Sequence, residues 1–220
     1  MIKLSLGDAR QPLRRALFLG AHCDDIEIGC GGTILKLLGL HRRMEVRWVV
    51  FSSDGVREQE ARKSASLFLH GARRSEVVVR DFRNGFFPFI GADIKEFFEE
   101  LKGDFQPDLI FTHYRDDRHQ DHRTLSDLTW NTFRNHMILE YEIPKYDGDL
   151  GSPNLFVPLE RAICERKIRH IRSAFSSQRD KHWFTEDTFR ALLRIRGIEC
   201  GAPGKYAEAF YCRKMALQSI

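Results

Sequence analysis

Two short stretches of the chain concentrate the side chains that can bind a metal or move a proton. One is His22-Cys23-Asp24-Asp25-Ile26-Glu27, and the other runs His113-Tyr114-Arg115-Asp116-Asp117-Arg118-His119-Gln120-Asp121-His122. Taken singly, such residues have ordinary explanations, for example an Asp at a helix start acting as an N-cap, which would serve for Asp25 and Asp121. Taken together they describe another chemistry. Two imidazoles and one carboxylate drawn from two loops make an open three-ligand site that leaves a position for water, as catalytic zinc centres do. Further carboxylates crowded into the same place are unfavourable unless a cation offsets them.

That chemistry requires the two stretches, far apart in sequence, to meet, and the elements before them predict that they do. Ala16 to Gly20 is a short apolar run that reads as a buried parallel strand, and Thr33 to Leu40 has helical spacing after Gly29, Gly31 and Gly32. Val46–Phe51, Glu76–Val79 and Leu109–Thr112 read as further strands. Arg57–Leu69, Ile94–Leu101 and Asp121–Asn135 read as the helices between and after them. Strand and helix alternating in this way predict an α/β fold: a Rossmann-like, doubly wound, mostly parallel sheet with helices on both faces. In the order 3-2-1-4-5 the first and fourth strands are neighbours at the switch point, where ligands bind at the carboxyl ends. Both clusters follow those two strands.

The second half is less regular. Glu140 to Pro158 carries three prolines and four acidic residues and reads as a long loop, a candidate cover that selects the substrate. Leu159–Ala174 and Glu186–Arg196 look helical, and Tyr206–Lys214 looks like a late strand. With no repeat and no linker, residues 1–220 read as a single domain.

Composition narrows the function classes. Hydrophobic residues make up 42% and charged residues 30% of 220, as in a folded globular chain. A net charge of +4 argues against nucleic acid as a partner. No run is apolar enough for a membrane span, and Met1 to Arg15 lacks a signal-peptide core, so a cytoplasmic location is expected. The five cysteines are scattered without a Cys-x-x-Cys and predict neither a disulfide framework nor a thiolate zinc knuckle. Gly29-Cys30-Gly31-Gly32 fails the dinucleotide spacing, so no NAD role follows.

The stretch from Ala21 through Glu27, with Gly29, Gly31, Gly32 and Thr33, resembles the opening signature of the LmbE-like (PIG-L) N-acetylglucosaminyl deacetylases, usually Ala-His-Pro-Asp-Asp-x-Glu followed by glycines. Asp117 through Arg123 resembles their second signature, Asp-x-His-x-Asp-His-Arg, and Tyr206 to Phe210 is similar to a stretch common in bacterial members. The resemblance implies zinc held by His22, Asp25 and His122, with iron(II) or another divalent ion able to take the same donors. It implies Asp24 as general base, His119 as the group that stabilises the oxyanion, and Asp121 as the carboxylate that orients a catalytic imidazole. The reaction so implied is removal of acetyl from an N-acetylglucosamine-like small molecule, in a chain that can self-associate. One departure stands out: Cys23 replaces the usual Pro, which removes a rigid backbone position and adds a thiol that could compete for metal.

Two other readings share these residues. A two-His-one-carboxylate iron(II) enzyme has the same donors, although Asp24 and the doubly wound sheet point away from it. A non-catalytic carbohydrate-binding protein on the same fold would need neither Asp24 nor His119. Elsewhere, Arg57 is a candidate substrate contact, with an i, i+3 surface pair to Glu60 as the plainer explanation. Phe82, Phe86, Phe87 and Phe89 form either an apolar wall for a sugar ring or, for most of them, core. The basic run Arg166-Lys167 with Arg169, His170 and Arg172 reads as a solvated face.

Overall fold

Seven strands form one sheet in the order β3-β2-β1-β4-β5-β7-β6. The structure is a computed structural model and describes residues 4–7 and 12–216; the expectation for Met1 to Arg15 falls partly outside them. The first five strands are β1 (Arg15–His22), β2 (Glu45–Ser52), β3 (Arg74–Val79), β4 (Leu109–His113) and β5 (Met137–Tyr141), all parallel. β7 (Tyr206–Cys212) runs antiparallel between β5 and β6 (Leu155–Leu159). The expected α/β doubly wound sheet is therefore present, extended by an antiparallel edge.

Alternation along each strand sorts the core into two layers. Ala16 and Phe18 of β1, Trp48 of β2, Phe111 of β4 and Tyr141 of β5 face one side. There they meet α1 (Asp25–Leu40), α2 (Gly55–Phe68) and α5 (Arg161–Ala174). Leu17, Leu19, Phe51 and Ile110 face the other side, covered by α3 (Gly91–Asp104) and α4 (Gln120–Thr132). In α3 the buried positions are Ile94, Phe97, Phe98 and Leu101, the stripe its spacing predicts. A last helix, α6 (Glu186–Glu199), adds Phe189 and Leu193 to the first layer. None of the described helices is long and apolar enough to cross a membrane.

Three elements differ from the sequence expectation. α1 starts at Asp25 rather than Thr33, with its glycines inside the helix. The reason is contact: a Cβ on Gly29 would lie 2.2 Å from the Tyr141 ring, and one on Gly32 2.5 Å from Leu159. The expected loop from Glu140 to Pro158 is shorter, because β5 and β6 occupy its ends and leave residues 142–154 between them. The basic run on α5 is only partly solvated. Lys167 is buried, its Nζ 2.6 Å from both Glu208 Oε1 and Ile28 O, while Glu208 accepts from Gly32 N and Thr33 N at 2.7 and 2.6 Å. This pair inserts into the hydrogen-bond ladder of α1 and fixes that helix against β7.

Candidate metal centre

β1 ends at His22 and β4 at His113, and the two strands are hydrogen-bonded neighbours, so the loops after them open at the same carboxyl edge. Neither aspartate read as an N-cap spends its carboxylate on capping. Asp24 occupies the cap of α1 without a side-chain bond, and Asp25, the first helical residue, accepts from His22 N at 2.6 Å. His119 occupies the cap of α4, which frees the Asp121 side chain.

The structure brings His22, Asp25 and His122 together. His22 Nδ1 lies 3.2 Å from His122 Nε2 and 3.5 Å from Asp25 Oδ2, and His122 Nε2 lies 3.5 Å from Asp25 Oδ1. Zinc bonds of about 2.0–2.1 Å in a tetrahedron place donors about 3.3–3.4 Å apart, close to each of these pairwise gaps, although the two gaps to Asp25 are made by different oxygens. Among the described residues, the sets of three donors that all lie within 4.8 Å of one another are His22, His119 and His122, and Asp25, His113 and His122, joined through His122. The far nitrogens of both rings are held as well. His22 Nε2 is 3.2 Å from Asp121 Oδ2, and His122 Nδ1 is 2.9 Å from Asp117 Oδ2. Carboxylates in this position fix the tautomer and orientation of ligating imidazoles. The imidazole that Asp121 holds is thus His22; to His119 it offers its backbone N–H.

Electrostatics describe a site short of positive charge. Burial pulls the His22 pKa down, but the hydrogen bond to Asp121 and the Asp25 and Asp24 carboxylates outweigh it and push it up to about 10. Burial and the neighbouring His113 ring hold His122 down at about 3, against the pull of Asp25 and Asp117. Burial favours the neutral form of Asp25 too, yet His122, His113 and His22 keep its carboxyl well below the usual range. A cation bound here would replace the proton that His22 otherwise carries.

Asp24 is buried and adjoins the triangle through the backbone. Burial raises its pKa, the Arg57 guanidinium 3.4 Å away lowers it, and Asp25 raises it again, with a net upward result. His119 packs edge-on to His22 and against the face of His122, with ring centroids 4.9 and 4.5 Å apart. Its Nδ1 accepts from Asp121 N at 3.2 Å, so a neutral ring carries its proton on Nε2. Burial and the nearby His22 lower its pKa. His119 is therefore a hydrogen-bond donor without needing a second proton.

Three further residues join the site that the sequence left without a role. Asp117 lay inside the second signature and holds His122. His113 is fully buried, stacked on His122 at 3.8 Å, with Nε2 3.2 Å from Asp25 Oδ2 and accepting from Ala21 N; its mark in the sequence was a polar residue closing an apolar strand. Lys145 reaches Asp117 from the segment 142–154 and had no sequence signal.

Arg57 does not form the expected surface pair. It faces Asp24, while Glu60 is buried and accepts from Ser176 Oγ, Ser177 N and Ser177 Oγ at 2.9, 2.8 and 2.5 Å. The clamp fixes the turn that carries Gln178 and Lys181 at the rim of a cavity of about 650 Å³. His22 and Arg57 line this cavity, with Ser52–Asp54 and Asp81–Asn84 around them, while residues 142–154 do not line it and reach the centre through Lys145 on Asp117. Of the four phenylalanines, Phe87 is fully buried core, Phe82 is half-buried against the second core layer and also lines the cavity, and Phe86 and Phe89 are exposed. Cys23 points into the first core layer, where burial and the Asp24 carboxylate push its thiol up and keep it protonated, a poor metal ligand.

A model of the family described as PIG-L, GlcNAc-PI de-N-acetylase, matches residues 17–133. Among solved structures, the chain is similar to N,N'-diacetylchitobiose deacetylase from Pyrococcus horikoshii, with 22% identity over 91% of this chain and 84% of that one and a TM-score of 0.68. A conserved protein from Thermus thermophilus matches with 20% identity over 93% and 96%, at a TM-score of 0.72. The 4-carboxy-2-hydroxymuconate hydratase from Pseudomonas putida matches with 15% identity over 94% and 99%, at 0.70. At these identities the likeness establishes the shared fold.

Proposed function

The chain belongs to the PIG-L family, the GlcNAc-PI de-N-acetylases, whose model matches more than half of it, and from that premise we propose that it is a metal-dependent N-deacetylase of an amino-sugar substrate. The observation that carries the proposal is the meeting of His22, Asp25 and His122 at pairwise donor gaps of 3.2–3.5 Å, with a buried carboxylate of raised pKa one residue away. The fold alone does not choose the reaction, since a hydratase shares it. Family membership and Asp24 favour amide hydrolysis.

His22, Asp25 and His122 are the residues that would hold the ion, with Asp121 and Asp117 behind the two rings. A zinc ion held there supplies a Lewis acid and a water of pKa about 7 instead of 15.7, and iron(II) fits the same donors. Asp24 acts as general base. Burial raises its pKa above the usual carboxylate value and the Arg57 guanidinium draws it back, and a carboxylate of raised pKa is the stronger proton acceptor. His119 donates to the acyl oxygen as charge develops there. The amide must leave as an amine, and Asp24, once protonated, is the group that returns the proton. The cavity beside His22 takes the rest of the substrate, with Arg57 at its rim.

The test is release of free amine from N-acetylglucosamine and its conjugates by zinc-loaded protein, beside Asp24→Asn. The proposal expects turnover in the wild type and a loss of about a hundredfold or more in the variant with metal retained. Binding of these sugars without amine release would favour a non-catalytic carbohydrate-binding protein instead.

A further inference from the structure

Lys145 is the one basic residue between Met137 and Glu160, and it is not left to solvent. Its side chain is 13% exposed, and its Nζ lies 2.9 Å from Asp117 Oδ2 and 2.5 Å from Asp149 Oδ2. Asp149 Oδ2 in turn accepts from Arg118 N at 2.7 Å. Asp117, 2% exposed, accepts from His119 N at 2.7 Å through Oδ1 and from His122 Nδ1 at 2.9 Å through Oδ2. One buried carboxylate therefore carries three things: a ring of the donor triangle, the backbone of the proposed oxyanion residue, and a lysine from a segment that does not touch the substrate cavity.

We infer that Lys145 is a positioning residue of the metal centre. It pins Asp117 where that carboxylate aims His122, and it makes the segment 142–154 a structural part of the centre. The physical reason is the pairing of charges. Lys145 draws two carboxylates onto one ammonium, and without it Asp117 and Asp149 face each other buried and uncompensated. Asp117 then moves away from Asp149. That displacement loosens its hold on His122 Nδ1, and loss of a carboxylate partner behind a ligating imidazole weakens metal binding. The inference rests on the reading of His22, Asp25 and His122 as ligands. Lys145 lies beyond residues 17–133, so nothing in the family match assigns it a role.

The experiment is zinc affinity of the full chain by competition with a chromophoric chelator, together with the melting temperature of each metal-free protein. Lys145→Met is expected to bind zinc about tenfold or more weakly than the wild type. Lys145→Arg, which keeps the charge, recovers part of that loss. Lys145→Met combined with Asp149→Asn, which leaves one carboxylate instead of two, also recovers part but stays weaker than the wild type. Should Lys145→Met alone fail to fold, this double variant carries the test. Wild-type zinc affinity in Lys145→Met, or in the double variant, overturns the inference, and a lowered metal-free melting temperature with unchanged affinity does the same. A wild type that binds no zinc contradicts the ligand assignment itself, before Lys145 is altered.

Discussion

Asp121 Oδ2 stands 3.2 Å from His22 Nε2, so a carboxylate in the first turn of α4 orients a ring at the end of β1. The same carboxylate accepts from Gly85 N at 2.6 Å and Phe87 N at 3.1 Å, which ties the loop after β3 to the centre. With Nε2 occupied in this way, Nδ1 is the nitrogen His22 presents to Asp25 and His122. Loops from the ends of β1, β3 and β4 thus meet around the His22 and His122 rings.

Replacing either carboxylate behind those rings should therefore loosen metal without removing a ligand. Asp121→Asn and Asp117→Asn are each expected to lower zinc affinity about 10–100-fold. Chelator competition measures it; affinity equal to the wild type in both variants would show that the rings need no such support.

Arg57 is expected to set the pH range of activity. Burial and Asp25 raise the Asp24 pKa and Arg57 lowers it, so Arg57→Leu lets it rise further. A base of higher pKa stays protonated to higher pH, which moves the acid limb of the kcat/KM profile upward by about one pH unit. A limb that stays in place, with only KM changed, would make Arg57 a substrate contact alone.

Metal uptake should release a proton. His22 is raised to about 10, so it is protonated in the metal-free protein across the neutral range and must lose that proton to serve as a ligand. Zinc affinity is then expected to rise about tenfold per pH unit between about pH 6 and pH 9. Calorimetry in buffers of different ionisation heat gives the proton count directly, and a count of zero contradicts the charge description of the site.

The Lys167–Glu208 pair is expected to contribute to stability through its burial. Lys167→Met leaves Glu208 facing Gly32 N and Thr33 N without its cation, at a cost of about 3–5 kcal/mol. Adding Glu208→Gln should return much of it. Denaturant unfolding measures both; a single variant as stable as the wild type would place the pair outside the stabilising core.

The legible parts of this chain are those written in contiguous residues. β1, β2 and β4 are largely apolar, buried runs, and each signature spans one strand-to-helix junction, so strand order alone predicts that they meet. The start of α1 is not legible, because three glycines look like a loop until Tyr141 and Leu159 are packed against two of them. β5 and β6 escaped because Glu140 and Pro158 disguise them: Glu140 is buried under Trp130 Nε1 and Arg115 N, partners that only tertiary structure supplies. In the site, Asp117 and His122 lie five residues apart, and their pairing was within reach of the sequence. The Arg57–Asp24 and Lys145–Asp117 contacts were not, because each joins residues from separate loops.

The central claim is that His22, Asp25 and His122 hold one divalent ion, and metal content by elemental mass spectrometry tests it most directly. Protein purified without chelator and offered zinc is predicted to carry about one ion per chain. His22→Ala and His122→Ala are predicted to carry little or none. A wild type without metal, or variants that keep the full complement, would contradict the claim.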